Sequence, residues 1–182
     1  DFAGELRSSI FMLGALLSRF KRARMFSPGG CNIGLRPIDI HISALERLGT
    51  IIHEISGEII CSAKSICGKE IYLDFPSGGA TENIMLASVF AKGKTQIFNA
   101  AKEPEIVDLM NFLNSMGARI YGAGTSTILC LALTALRMRV KKSAIGSVII
   151  VLIFNVYQLA FLTPGIKPFS AISRKLIREM PN

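Results

Sequence analysis

Apolar positions in this chain recur with a helical period in long stretches, and between them lie short runs that alternate or cluster as strands do. One periodic run begins at Pro37 and passes through Ile40, Leu45 and Leu48 to Gly49. Two strand-like runs follow it, Thr50-Ile51-Ile52 and Glu58-Ile59-Ile60, with Ser56-Gly57 between them. A second periodic run begins at Pro104 and passes through Val107, Leu109 and Leu113 to Met116-Gly117. Arg119-Ile120-Tyr121 and Thr127-Ile128-Leu129 come next, around Gly122-Ala123-Gly124. Each run predicts a helix opened by proline in its first turn and closed by glycine, then a hairpin. The two copies stand about 67 residues apart, the spacing of a repeated supersecondary unit.

The other half of each unit also repeats. Ile10 to Phe26 and Ile84 to Phe98 are apolar helix patterns with basic ends that run into a short strand. The predicted unit is strand, helix, strand, helix, strand, strand. Before the second of these helices, Gly78-Gly79-Ala80-Thr81-Glu82-Asn83 supplies glycine flexibility and a polar start. Thr81 is the expected cap, and the same backbone N–H groups are of the kind that bind anions. A third helix is expected from Pro168 through Ile172, Leu176 and Ile177 to Met180, with Pro181 in place of the usual glycine.

Chemistry concentrates in one loop. Ser27-Pro28-Gly29-Gly30-Cys31-Asn32-Ile33-Gly34-Leu35-Arg36-Pro37 carries a thiol five positions ahead of a guanidinium, among residues that break regular structure. An arginine beside a thiol favours the thiolate and also holds anions, so Cys31 and Arg36 read as an acid or nucleophile beside an anion site. On these residues alone an unreactive loop cysteine fits equally well.

Composition narrows the classes. At 182 residues and 50% hydrophobic content, the chain can bury the core of one ordinary domain. Four cysteines without regular spacing suit a reducing compartment better than a disulfide framework. Cys61, Cys67 and Cys130 sit among apolar neighbours as small core residues, and neither His41 nor His53 pairs with them at metal-ligand spacing. The net charge of +8 is unevenly placed: residues 1–128 hold 13 basic and 12 acidic side chains, residues 129–182 hold 8 and 1. The stripe Arg19, Lys21, Arg22 and Arg24 lacks interleaved aromatic residues and reads as a solvated helix end, which argues against nucleic acid as a partner.

Taken together the motifs resemble the enolpyruvyl transferases, and among them the UDP-N-acetylglucosamine 1-carboxyvinyltransferases. The resemblance covers residues 5–128 and rests on Arg7-Ser8-Ser9-Ile10 with Leu13-Gly14, the Pro28-to-Gly34 loop, Arg36-Pro37-Ile38-Asp39-Ile40-His41, Gly79-Ala80-Thr81-Glu82-Asn83, and Asn99 to Asp108. The related 3-phosphoshikimate enzymes share the architecture but not this cysteine loop. The resemblance implies an inside-out α/β repeat lobe, with helices grouped inside and sheets facing out, here incomplete. It implies a cytoplasmic enzyme of peptidoglycan synthesis that needs no cofactor and joins the enolpyruvyl group of phosphoenolpyruvate to the sugar 3-hydroxyl.

By the same resemblance Cys31 matches the proton donor, and Arg36 and Arg7 match residues that contact the substrates. Pro37, Ile38, Asp39 and Ile40 match the strip along the nucleotide sugar, and Phe75, Pro76, Ser77 and Gly78 match the segment near the uridine. The residues also allow plainer roles: helix initiation for Pro37 and Ile38, and first-turn carboxylates for Asp39, Glu103 and Glu105. Gly78 stands where the family usually has valine, so a side chain that would pack near the base is absent.

After residue 128 the family's pattern stops. Arg137, Arg139, Lys141 and Lys142 precede an apolar run from Ala144 to Leu162, which read alone has the form of a membrane-spanning helix. Preserved length and a partial return of pattern at Pro168 favour compensating frameshifts over a membrane contact through 144–162. The expected organisation is two repeat units over 1–128, an aberrant segment over 129–163 and the start of a third unit over 164–182. A second lobe, with the rest of the active site, would lie outside the chain, so the chain alone is expected to be inactive. A membrane-tethered, non-catalytic derivative of the lobe or a decayed gene product are the alternatives.

Overall fold

A computed structural model describes Ile10, residues 12–26 and residues 38–131. The first unit contributes α1 (Met12–Phe20), β1 (Arg22–Phe26), α2 (Asp39–Arg47), β2 (Ile51–Ile55) and β3 (Glu58–Ser62). The second contributes β4 (Glu70–Tyr72), α3 (Gly78–Ser88), β5 (Lys94–Phe98), α4 (Pro104–Ser115), β6 (Arg119–Tyr121) and β7 (Thr127–Leu131). The expected aberrant segment and third helix lie outside the described residues.

The repeat is visible in the pairing. One sheet has the order β1-β3-β2 and the other β4-β5-β7-β6, so β5-β7-β6 repeats the first sheet strand for strand. Within each trio neighbours are antiparallel, whereas β4 joins β5 in parallel. The β2–β3 connection has only Ser56 and Gly57, at φ 51° and 77°, a left-handed pair whose twist matches that of the flanking strands.

Helices occupy the middle. In α3 every residue from Ala80 to Ser88 is buried, the polar Thr81, Glu82, Asn83 and Ser88 included, because α1, α2 and α4 all pack against it. The strands turn one face toward this core: Ile59 and Cys61 of β3, Ile97 of β5, and Ile128 and Cys130 of β7 are buried. Ile51, Ile55, Tyr72 and Tyr121 stand exposed, so the sheets form the outside of the lobe. Gly14 lets α1 approach α3 closely, since a Cβ there would collide with the Asn83 backbone carbonyl.

Some expectations are corrected. Helix α3 starts at Gly78, with Ser77 as its cap: the Ser77 hydroxyl accepts from the Ala80 N–H at 3.3 Å. Thr81 therefore lies inside the helix, where its hydroxyl donates to the Ser77 carbonyl at 2.8 Å and accepts from the Ala101 N–H at 3.1 Å. The basic stripe is not one helix end. Arg19 closes α1 and Lys21 donates to the Ser18 carbonyl, but Arg22 and Arg24 lie on β1, where Arg24 Nε donates to Glu58 at 2.8 Å. Cys61 and Cys130 are core residues as expected, whereas Cys67 is only half-buried.

Candidate functional site

Two of the residues expected along the nucleotide sugar come together at a cleft of about 140 Å³ between the start of α2 and the end of β4. Asp39, Ile40, Ser43, Ala44 and Arg47 form one wall, and Ile71, Tyr72, Leu73 and Asp74 form the other. Asp39 is the first residue of α2 and exposed, so the positive end of the helix dipole stabilises its carboxylate. Ile38 precedes it at the cap position without a side-chain cap. With two carboxylates and one guanidinium, the cleft is no simple anion trap. Asp39 and Asp74 are acceptors, suited to ligand N–H and O–H groups.

Phe75, Pro76, Ser77 and Gly78 follow Asp74 and lead into α3. Phe75 is exposed, an apolar surface beside the cleft, and Ser77 is committed to capping. At Gly78 a Cβ would meet nothing closer than a Glu103 carboxylate oxygen at 3.7 Å, so a methyl side chain has room here.

Behind the cleft lies a polar cluster that the sequence reading did not single out. Asn83 on α3 is fully buried; its Oδ1 accepts from the Gly14 N–H at 2.6 Å, and its Nδ2 donates to the Ile10 carbonyl at 3.1 Å. Those two backbone partners set the orientation of the amide, so the contact from Nδ2 to His41 Nδ1 at 3.2 Å makes Nδ1 an acceptor. His41 is thus neutral, with its proton on Nε2. Burial pushes its pKa down to about 4. The available signal was the Thr81-Glu82-Asn83 run, polar residues at the start of a helix that is otherwise apolar.

Arg7, Cys31, Arg36 and Pro37 lie outside the described residues. Two of the other thiols are poor reagents: burial pushes Cys61 up to about 11 and Cys130 up to about 12. Among the described residues no group of His, Cys, Asp and Glu could hold a metal ion, and no helix is long and apolar enough to cross a membrane. The apolar run 144–162 lies outside that statement.

The repeated unit and the sheet order place the chain with the enolpyruvyl transferase fold. The enolpyruvyl transferase NikO from Streptomyces tendae superposes with a TM-score of 0.63 at 22% identity, covering 76% of this chain and 33% of that one. An EPSP synthase from Acinetobacter baumannii superposes at 0.56 and 21% identity, covering 70% and 29%. Sequence carries the assignment further: the EPSP synthase (3-phosphoshikimate 1-carboxyvinyltransferase) family model matches residues 2–134, and the chain belongs to that family. Among its relatives, UDP-N-acetylglucosamine 1-carboxyvinyltransferase 2 of Caldanaerobacter subterraneus subsp. tengcongensis is 62% identical over 123 residues, 68% of this chain and 30% of the relative. UDP-N-acetylglucosamine 1-carboxyvinyltransferase 1 of Symbiobacterium thermophilum is 58% identical over 129 residues, 70% and 29%. The chain thus spans about a third or less of the relatives it matches.

Proposed function

We propose that this chain forms one wall of a UDP-N-acetylglucosamine 1-carboxyvinyltransferase active site, which the second lobe of such an enzyme completes. The observation that carries this reading is the 62% identity, over 123 residues, to a transferase of that name. Phosphoenolpyruvate and UDP-N-acetylglucosamine are the substrates. Cys31 gives its proton to the vinyl carbon while the sugar 3-hydroxyl adds to the adjacent carbon and passes its own proton to a base supplied by the second lobe. The tetrahedral adduct then loses phosphate and a methyl proton, which restores the double bond on the sugar ether.

Positioned acids of this kind contribute roughly 10²–10⁴-fold. Arg7 and Arg36 supply guanidinium groups for two polyanionic substrates. Pro37, Ile38, Asp39 and Ile40 line the nucleotide sugar, with Asp39 accepting hydrogen bonds from it. Phe75, Pro76, Ser77 and Gly78 lie near the uridine, where Phe75 offers its apolar face and Gly78 leaves space that valine would fill.

The test is a chimera in which residues 5–128 replace the matching part of the Caldanaerobacter enzyme. Phosphate release that requires both substrates is expected, with a loss of about 100-fold or more on Cys31→Ser. A fosfomycin adduct on Cys31, read by mass spectrometry, is expected in the same protein. A folded chimera without turnover, or turnover indifferent to Cys31→Ser, would overturn the proposal. The 182-residue chain alone is expected to release no phosphate, because sites of this kind form where two lobes close.

A further inference from the structure

Asn83 does not line the cleft, yet its one amide is bonded to two helices other than its own. Its Oδ1 takes the Gly14 N–H and its Nδ2 reaches the Ile10 carbonyl, so it fastens the start of α1. The same Nδ2 reaches His41 in the first turn of α2, two residues after Asp39.

We infer that Asn83, through His41, is a positioning residue for nucleotide-sugar binding: it sets the start of α1 against the start of α2 and so fixes Asp39 and Ile40 in the cleft wall. The inference rests on the proposed function for its substrate, not for its geometry. Packing alone does not call for this arrangement. A buried amide in a helix costs free energy unless its partners are met, and here all three come from Ile10 and Gly14 at the start of α1 and from His41 in the first turn of α2. Apolar contacts would hold α1 and α2 against α3 but tolerate a small slide along the helix axis. Directional bonds do not, and a displacement of about 1 Å can cost up to 100-fold in a positioned reaction.

Three substitutions separate the possibilities. Asn83→Leu keeps the branched shape of the side chain, with somewhat greater bulk, and removes all three bonds. His41→Leu removes the acceptor on α2 and leaves both Asn83 bonds to the start of α1. His41→Asn restores one, because Asn Oδ1 is attached to Cγ as Nδ1 is in histidine. In the chimera described above, Asn83→Leu and His41→Leu are expected to raise KM for the nucleotide sugar about tenfold with kcat within about threefold, and His41→Asn to recover most of the loss. A purely structural role would lower the folded fraction, and with it kcat, and leave KM in place; that result overturns the inference.

A second measurement needs no turnover. By hydrogen exchange of the 182-residue chain, Asn83→Leu is expected to expose the amides of Gly14 and Ile42 while those of 108–115 keep their protection. Uniform loss, or no change, would overturn the inference even if the chimera is active. An inactive unsubstituted chimera with the expected exchange pattern would instead count against the proposed function and leave the positioning geometry standing.

Discussion

Acid should weaken this fold through His41, and the size of the effect follows from its surroundings. In the folded chain the imidazole is buried and its Nδ1 faces an Asn83 N–H, so a second proton would be both desolvated and set donor against donor. Its pKa falls from the ordinary 6.5 to about 4. As pH drops through this window, the unfolded chain takes up a proton that the folded chain refuses. Stability is therefore fully present above about pH 6.5, falls by up to about 1.4 kcal/mol per pH unit, and levels off below about pH 4. The whole window amounts to roughly 3 kcal/mol, of which about 2 kcal/mol is lost between pH 7 and pH 5. Against a typical total of about 5–15 kcal/mol, that is a large share.

The assay is urea unfolding of the 182-residue chain and of His41→Asn at both pH values. With a slope of about 2 kcal/mol per molar urea, the midpoint should fall by about 1 M more in the parent than in the variant. The subtraction removes every other titrating group common to both. Equal midpoint shifts in the two proteins would refute the reasoning, as would an imidazole that titrates near 6.5 by NMR in the folded chain.

Three further outcomes are expected. Gly14→Ala should destabilise by about 3 kcal/mol, measured by denaturant unfolding: alanine gains about 1 kcal/mol of helix propensity, but its Cβ would meet the Asn83 backbone, which cannot rotate away. At the start of α3, Ser77→Ala should cost about 1 kcal/mol through loss of the cap, whereas Gly78→Ala should gain about 0.5 kcal/mol because the first helical turn there is open; thermal unfolding should order the three proteins accordingly. Cys61 and Cys130 should resist a neutral-pH thiol reagent until the chain unfolds, as their raised pKa values and burial keep the thiolate scarce; fast labelling of both in the folded chain would contradict this.

Much of the repeat was legible without coordinates because its signals are local. Proline in the first turn of α4, glycine after the last turn of α2 and of α4, and the Ser56-Gly57 turn act within a few residues, and they mark α2, α4 and the β2–β3 hairpin close to where those elements lie. Helix α3 was misread at its start for the same reason: two glycines look like a loop, and only the Ser77–Ala80 bond makes them the first turn of a helix. The stripe from Arg19 to Arg24 failed likewise, since charge alone does not tell a helix end from the outer face of a strand.

The chain's letters alone determined the repeated unit, its period and its membership of a family, because turn chemistry, hydrophobic period and ordered motifs are properties of the linear chain. Tertiary structure decided which polar residues meet. Asn83, Ile10, Gly14 and His41 are scattered through the chain and become one hydrogen-bonded cluster only when α1 and α2 close on α3. The neutral state of His41 was equally beyond sequence, since it arises from burial and from a donor that another helix supplies.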